Sequence, residues 1–99
     1  MKNIRFTFQE FAILKSISNG DGKRYGLEIH RWLESIFGRS VSLGGIYTTL
    51  RRLEKKGWIK SEWGGNESPE ARRRYYALTR LGKELTQNME KELVATFLE

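Results

Sequence analysis

Apolar positions along the chain recur in two different periods, and the changes of period divide it into elements. Between Thr7 and Ile17, Phe11, Ala12, Leu14 and Ile17 fall on one side and Gln9, Glu10 and Lys15 on the other, which predicts a first amphipathic helix. Asn19-Gly20-Asp21-Gly22 should end it, because these residues tolerate turn and left-handed backbone angles. Tyr25, Ile29, Trp32, Leu33, Ile36 and Phe37 then recur at spacings of three and four, predicting a second helix that starts near Tyr25 and stops at Gly38. Val41-Ser42 reads as a short extended piece leading to an N-cap, since a serine oxygen can accept a backbone N–H of the first helical turn. The third helix, Ser42 to Lys56, carries Ile46, Leu50 and Leu53 as one stripe, with Gly57 as its stop.

From Trp58 to Trp63 the period falls towards two, and Glu70 to Leu78 is strand-like again, so the two runs predict a hairpin. Its connector, Gly64-Gly65-Asn66-Glu67-Ser68-Pro69, is too long for a two-residue turn and is expected to form a flexible tip. Thr79 can cap a last helix in which Leu81, Leu85, Met89, Leu93 and Phe97 repeat every four residues, joined by Val94 and Leu98. The expected fold is mainly α with a small β-hairpin: a winged helix-turn-helix over residues 1–78 and a C-terminal helix over 79–99. No repeat of solenoid period interrupts this order.

Composition narrows the classes. With 99 residues the chain suits one compact unit, and 38% hydrophobic residues suffice for one core. No cysteine is present, which excludes a disulfide framework, a thiolate metal site and a cysteine nucleophile. No leader-like or membrane-length apolar run is seen, so a cytoplasmic protein is expected. The formal net charge of +6 points to an anionic partner. Its distribution is more informative: residues 42–78 hold eight basic and four acidic residues, whereas 79–99 hold three and four.

In a helix-turn-helix the second helix of the motif enters the DNA major groove. On a wheel, Gly44, Thr48, Arg51, Arg52 and Lys55 lie opposite the Ile46/Leu50/Leu53 stripe, with Tyr47 at the flank. Arginine can reach guanine O6 and N7, threonine can touch a thymine methyl, and glycine lets a backbone come close. Arg72, Arg73 and Arg74 return from the hairpin tip, where three adjacent cations repel unless an anion is near; alternation along a strand leaves about two of them facing it. Trp58 opens the hairpin and is read as structural, while Trp32 and Trp63 are the aromatic candidates for ligand contact. His30 is read as a surface or boundary residue without a ligand set at metal spacing, and no metal or cofactor is expected. No nucleophile triad, apolar carboxylate pair or phosphate loop occurs, so no enzymatic activity is expected.

Three segments carry a family resemblance: Tyr25-Gly26-Leu27-Glu28-Ile29, the run from Ser42-Leu43-Gly44-Gly45-Ile46-Tyr47 to Lys56-Gly57, and Arg73-Arg74-Tyr75-Tyr76-Ala77-Leu78-Thr79-Arg80-Leu81-Gly82. They resemble the PadR family of bacterial transcriptional regulators along nearly the whole chain. The resemblance implies that Ser42, Gly44, Tyr47, Thr48 and Arg51 face double-stranded DNA, that the wing arginines grip its backbone, and that a homodimer acts as a repressor. It also implies dimerisation through the last helix, often with the first helix of the other subunit, which fits the stripe containing Leu85, Met89, Leu93 and Phe97. Thr48 stands where a proline often follows the tyrosine, so the start of the helix can differ in detail. The chain resembles the short type with a single C-terminal helix, some members of which hold flat aromatic effectors between tryptophans of that helix. No tryptophan occurs there in this chain, so a small-molecule effector is left open and unnamed. The competing reading is a winged-helix protein-interaction module whose basic face docks an acidic partner.

Overall fold

The computed structural model describes residues 5–65 and 68–98. Its elements are α1 (Phe8–Asn19), β1 (Arg24–Tyr25), α2 (Gly26–Phe37), α3 (Leu43–Lys55), β2 (Ile59–Gly64), a 3₁₀ turn (Pro69–Ala71), β3 (Arg73–Leu78) and α4 (Arg80–Leu98). Asn66 and Glu67, part of the connector read as a flexible tip, lie outside the described residues, as do residues 1–4 and 99.

Local chemistry sets most helix limits. Thr7 Oγ1 accepts the Glu10 N–H at 3.0 Å while the Thr7 N–H donates to Glu10 Oε1 at 2.8 Å, a reciprocal cap that satisfies two otherwise orphaned donors at the start of α1. The α2 helix begins with the Tyr25 N–H donating to Glu28 Oε1 at 3.1 Å and ends at Gly38, whose φ of 65° is left-handed and therefore favours glycine. Ser42 caps α3 as expected, its Oγ accepting the Gly45 N–H at 3.1 Å. The connector between α2 and α3 is also held by side chains. His30 Nε2 lies 2.8 Å from the Val41 carbonyl, and Glu34 Oε2 accepts the Val41 N–H at 3.1 Å and sits 3.4 Å from His30. His30 is thus a boundary residue with an acidic neighbour one turn on, a partner that the spacing argument passed over.

The sheet has three strands rather than a lone hairpin, in the antiparallel order β1-β3-β2. Tyr25 opposes Tyr75 in β1 and β3, and Trp63 opposes Arg74 in β2 and β3. The second hairpin strand starts at Arg73 rather than Glu70, because Ser68 caps the 3₁₀ turn, its Oγ accepting the Ala71 N–H at 3.2 Å, before the chain extends.

The core gathers Ile13, Leu14 and Ile17 of α1, Ile29 and Leu33 of α2, Ile46, Leu50 and Leu53 of α3, and Ile59 and Tyr76 of the sheet. The expected stripe of α3 is therefore the buried one. The stripe of α4 divides: Leu85 and Met89 belong to this same core, Leu93 is half-buried, and Phe97 is 80% exposed. The first half of α4, where Leu85 and Met89 were expected to serve a dimer, packs instead on α1 and is tied to it by Lys15 and Glu90 at 3.1 Å. At its start, Thr79 Oγ1 accepts the Gly82 N–H and donates to the Gly57 carbonyl at 2.7 Å, nailing the helix to the α3–β2 turn. Gly82 is required there, since a Cβ would collide with the Trp58 carbonyl oxygen.

Candidate nucleic-acid interface

Burying Ile46, Thr49, Leu50 and Leu53 leaves Gly44, Thr48, Arg51 and Lys55 exposed on the opposite face of α3, while Arg52, expected there too, is exposed but turned towards α1. Thr48 Oγ1 donates to the Gly44 carbonyl at 3.0 Å, and Arg51 Nη2 approaches the same hydroxyl at 3.4 Å, which draws the guanidinium along the helix surface. A Cβ built on Gly44 would meet nothing nearer than Ser42 Oγ at 3.9 Å, so no internal contact demands a glycine at that point. Tyr47 is half-buried at the flank, with its hydroxyl against Gly26, where a Cβ would clash with it.

The wing arginines are sorted by strand alternation. Arg72 and Arg74 lie over the Trp63 ring, at 4.9 and 5.9 Å from its centroid, while Arg73 lies 5.5 Å from the centroid of Tyr25. Trp63 is 52% exposed, which leaves this arrangement facing solvent. Arg73 Nη1 also donates to the Glu70 carbonyl at 2.6 Å. Arg74 is tied back to α3: its Nε donates to Ser61 Oγ at 2.9 Å, Ser61 Oγ donates to Glu54 Oε2 at 2.6 Å, and Arg74 Nη2 sits 3.6 Å from Glu54 Oε1. Between α3 and the wing these residues border a cleft of about 510 Å³, whose walls include Tyr47, Arg51, Glu54, Trp63 and the arginines 72–74. Cationic on both walls and open to solvent, it has the electrostatics to receive a polyanion.

Arg52 differs from its neighbours. Its Nε points to Glu10 Oε2 at 3.6 Å, and Lys56 Nζ reaches the same oxygen at 3.2 Å. Glu10, read from the sequence as part of the polar side of the first helix, is only 3% exposed. Burial pushes its carboxyl pKa up, but the Thr7 N–H, the Lys56 hydrogen bond and the charges of Lys56 and Arg52 together bring it below the ordinary 4.5. Burial likewise raises the Tyr76 hydroxyl above its ordinary 10.0.

Sequence reasoning missed Glu10, Glu54, Ser61 and Tyr25, all of which act through partners distant in the chain. The period-two pattern held a signal for Ser61, which shares a strand face with Trp63, but nothing local marked Glu54 as its acceptor. Among the described residues no group of three or more His, Cys, Asp or Glu residues can hold a metal, and no helix is long and apolar enough to cross a membrane.

The family model described as the transcriptional regulator PadR-like family matches residues 13–88. A PadR family transcription regulator from Clostridium difficile R20291 superposes with a TM-score of 0.66 at 28% identity, over 94% of this chain and 100% of its own. The smu.1704 protein of Streptococcus mutans UA159 superposes with a TM-score of 0.76 at 27% identity, over 91% of this chain and 79% of its own. Bacillus subtilis PadR, solved in complex with operator DNA, shares the fold with a TM-score of 0.70 at 22% identity, over 84% of this chain and 46% of its own. The search of curated proteins returned no match.

Proposed function

Since the chain belongs to the PadR-like family of transcriptional regulators, we propose that it binds double-stranded DNA sequence-specifically as a homodimer and represses transcription. The observation that carries this reading is the exposed face of α3, where Gly44, Thr48, Arg51 and Lys55 stand beside a wing whose arginines are stacked on exposed or half-buried aromatic rings. In the reading, α3 lies in the major groove with Arg51 and Thr48 at base edges and the Gly44 backbone close to the sugar-phosphate chain, while Ser42, Tyr47 and Lys55 flank them. Arg72, Arg73 and Arg74 contact phosphates or the minor groove. That Bacillus subtilis PadR, which shares this fold, was solved with operator DNA supports DNA as the partner.

Residues 1–78 would form the DNA-binding unit and 79–99 the dimerisation helix. The seam falls on the outer half of α4, where Val94 is 49% and Phe97 80% exposed next to half-buried Leu93, while Leu85 and Met89 support it from within. Phe8 on α1 is 60% exposed and offers an apolar surface to a partner's α4.

Fluorescence-anisotropy titration of duplex DNA across a salt series tests the reading. Affinity should fall steeply, by about 0.9 in log affinity per phosphate contact for each decade of salt. Arg73→Ala should weaken binding to all sequences alike and reduce that slope by about 0.9, whereas Arg51→Ala should chiefly reduce discrimination between sequences. Salt-independent binding, or equal loss in both variants on random DNA, would refute the assignment, and no duplex binding would favour an acidic protein as the partner.

A further inference from the structure

We propose that Glu10 is a positioning residue that withdraws Arg52 and Lys56 from the DNA-contacting charge and fixes the C-terminal end of α3 against α1; this rests on the DNA-binding reading above. Glu10 is 3% exposed, with Oε1 accepting the Thr7 N–H at 2.8 Å and Oε2 facing Lys56 Nζ at 3.2 Å and Arg52 Nε at 3.6 Å. A carboxylate buried to this degree needs cationic partners, because an unpaired charge in a low-dielectric interior is far more costly than an unpaired cation in water. For Arg52 or Lys56 to turn to a phosphate, its contact with Glu10 at 3.6 or 3.2 Å must break, which takes cationic cover from the buried carboxylate. Both cations therefore stay with Glu10 when DNA is present. Lys56 has a second commitment, its ammonium lying 4.6 Å from the centroid of the Trp58 ring.

The charges of the α3 end are thus divided. Arg51 and Lys55 have no acidic partner among the described salt bridges and face outward, whereas Arg52 and Lys56 face α1. One carboxylate thus joins α1, the helix that presents Phe8, to α3, the helix that presents Arg51.

The test measures affinity for a mixed-sequence duplex against potassium chloride concentration. Arg52→Gln and Lys56→Met, both at partly exposed side chains, should each leave the slope of log affinity on log salt unchanged. Glu10→Gln should raise its magnitude by about 0.9 to 1.8, as one or both released cations reach phosphates. Combining Glu10→Gln with both cation substitutions should return it to the wild-type value. A decrease of about 0.9 in Arg52→Gln or Lys56→Met would show that these cations already contact phosphate and would overturn the proposal. So would an unchanged slope in a folded Glu10→Gln protein. Wild-type binding without salt dependence would remove the underlying reading itself, a result distinct from either of these.

Discussion

Glycine 44 and glycine 82 are the same residue under opposite constraints. At Gly82 a Cβ would strike the Trp58 carbonyl, so Gly82→Ala must push α4 away from the α3–β2 turn and break the Thr79 contacts that hold it. A loss of about 2 to 4 kcal/mol is expected, read as a shift of the urea midpoint at unchanged slope. At Gly44 the Cβ has open space, and alanine is the better helix former by roughly 1 kcal/mol. Gly44→Ala should therefore leave the free protein as stable or more stable and yet weaken DNA binding. Loss of stability there would show that the glycine serves the fold rather than the interface. Arg51→Ala should cost about 1 to 3 kcal/mol of discrimination between bound and random duplex, measured by competition titration.

Elements were legible in the sequence where their limits are local. Ser42 as a cap, Gly38 and Gly57 as stops, and the Ile46/Leu50/Leu53 stripe all follow from residues within one or two turns, and the structure places them as the pattern predicts. The strand β1 escaped notice because two residues make no periodicity; Arg24 and Tyr25 become a strand only because Tyr75 and Tyr76 are there to pair with them. Glu10 was illegible for a similar reason. A wheel drawn on α1 sees a charged residue among polar neighbours, while its burial is produced by the end of α3, 46 residues along the chain from it at Lys56.

The pH dependence of the junction between α1 and α3 follows from Glu10. Its pKa is lowered in the folded protein, so its contribution to stability is fully present above the ordinary 4.5 and is lost as pH falls through the lowered value. Glu10→Gln should destabilise by roughly 1 to 3 kcal/mol at neutral pH, and the difference from wild type should shrink when both are unfolded in urea well below pH 4.5. A difference that is constant across this range would mean that the carboxylate charge contributes nothing.

On the scale of the molecule, the principal extents of 51 × 30 × 22 Å are those of a compact body with a projecting helix. The end of α4 that projects is the end whose apolar side chains remain uncovered, Val94 and Phe97 among them. Whether such a stripe is covered cannot be read from its spacing, because Leu85 and Phe97 lie on the same repeat and only the position of α1 separates them into buried and exposed. Phe97→Asp should accordingly give monomers by light scattering without unfolding the domain, whereas Leu85→Asp should unfold it. A dimer that survives Phe97→Asp places the seam elsewhere.

Helix-turn-helix dimers read two half-sites about 34 to 36 Å, one turn of DNA, or a multiple of it apart, and the proposed homodimer is expected to do the same. Selection of bound sequences from a random duplex pool therefore tests the central claim most directly. The account predicts an enriched inverted repeat whose half-sites are centred about 10 base pairs apart, or a multiple of that distance. A pool that emerges without enrichment would contradict it.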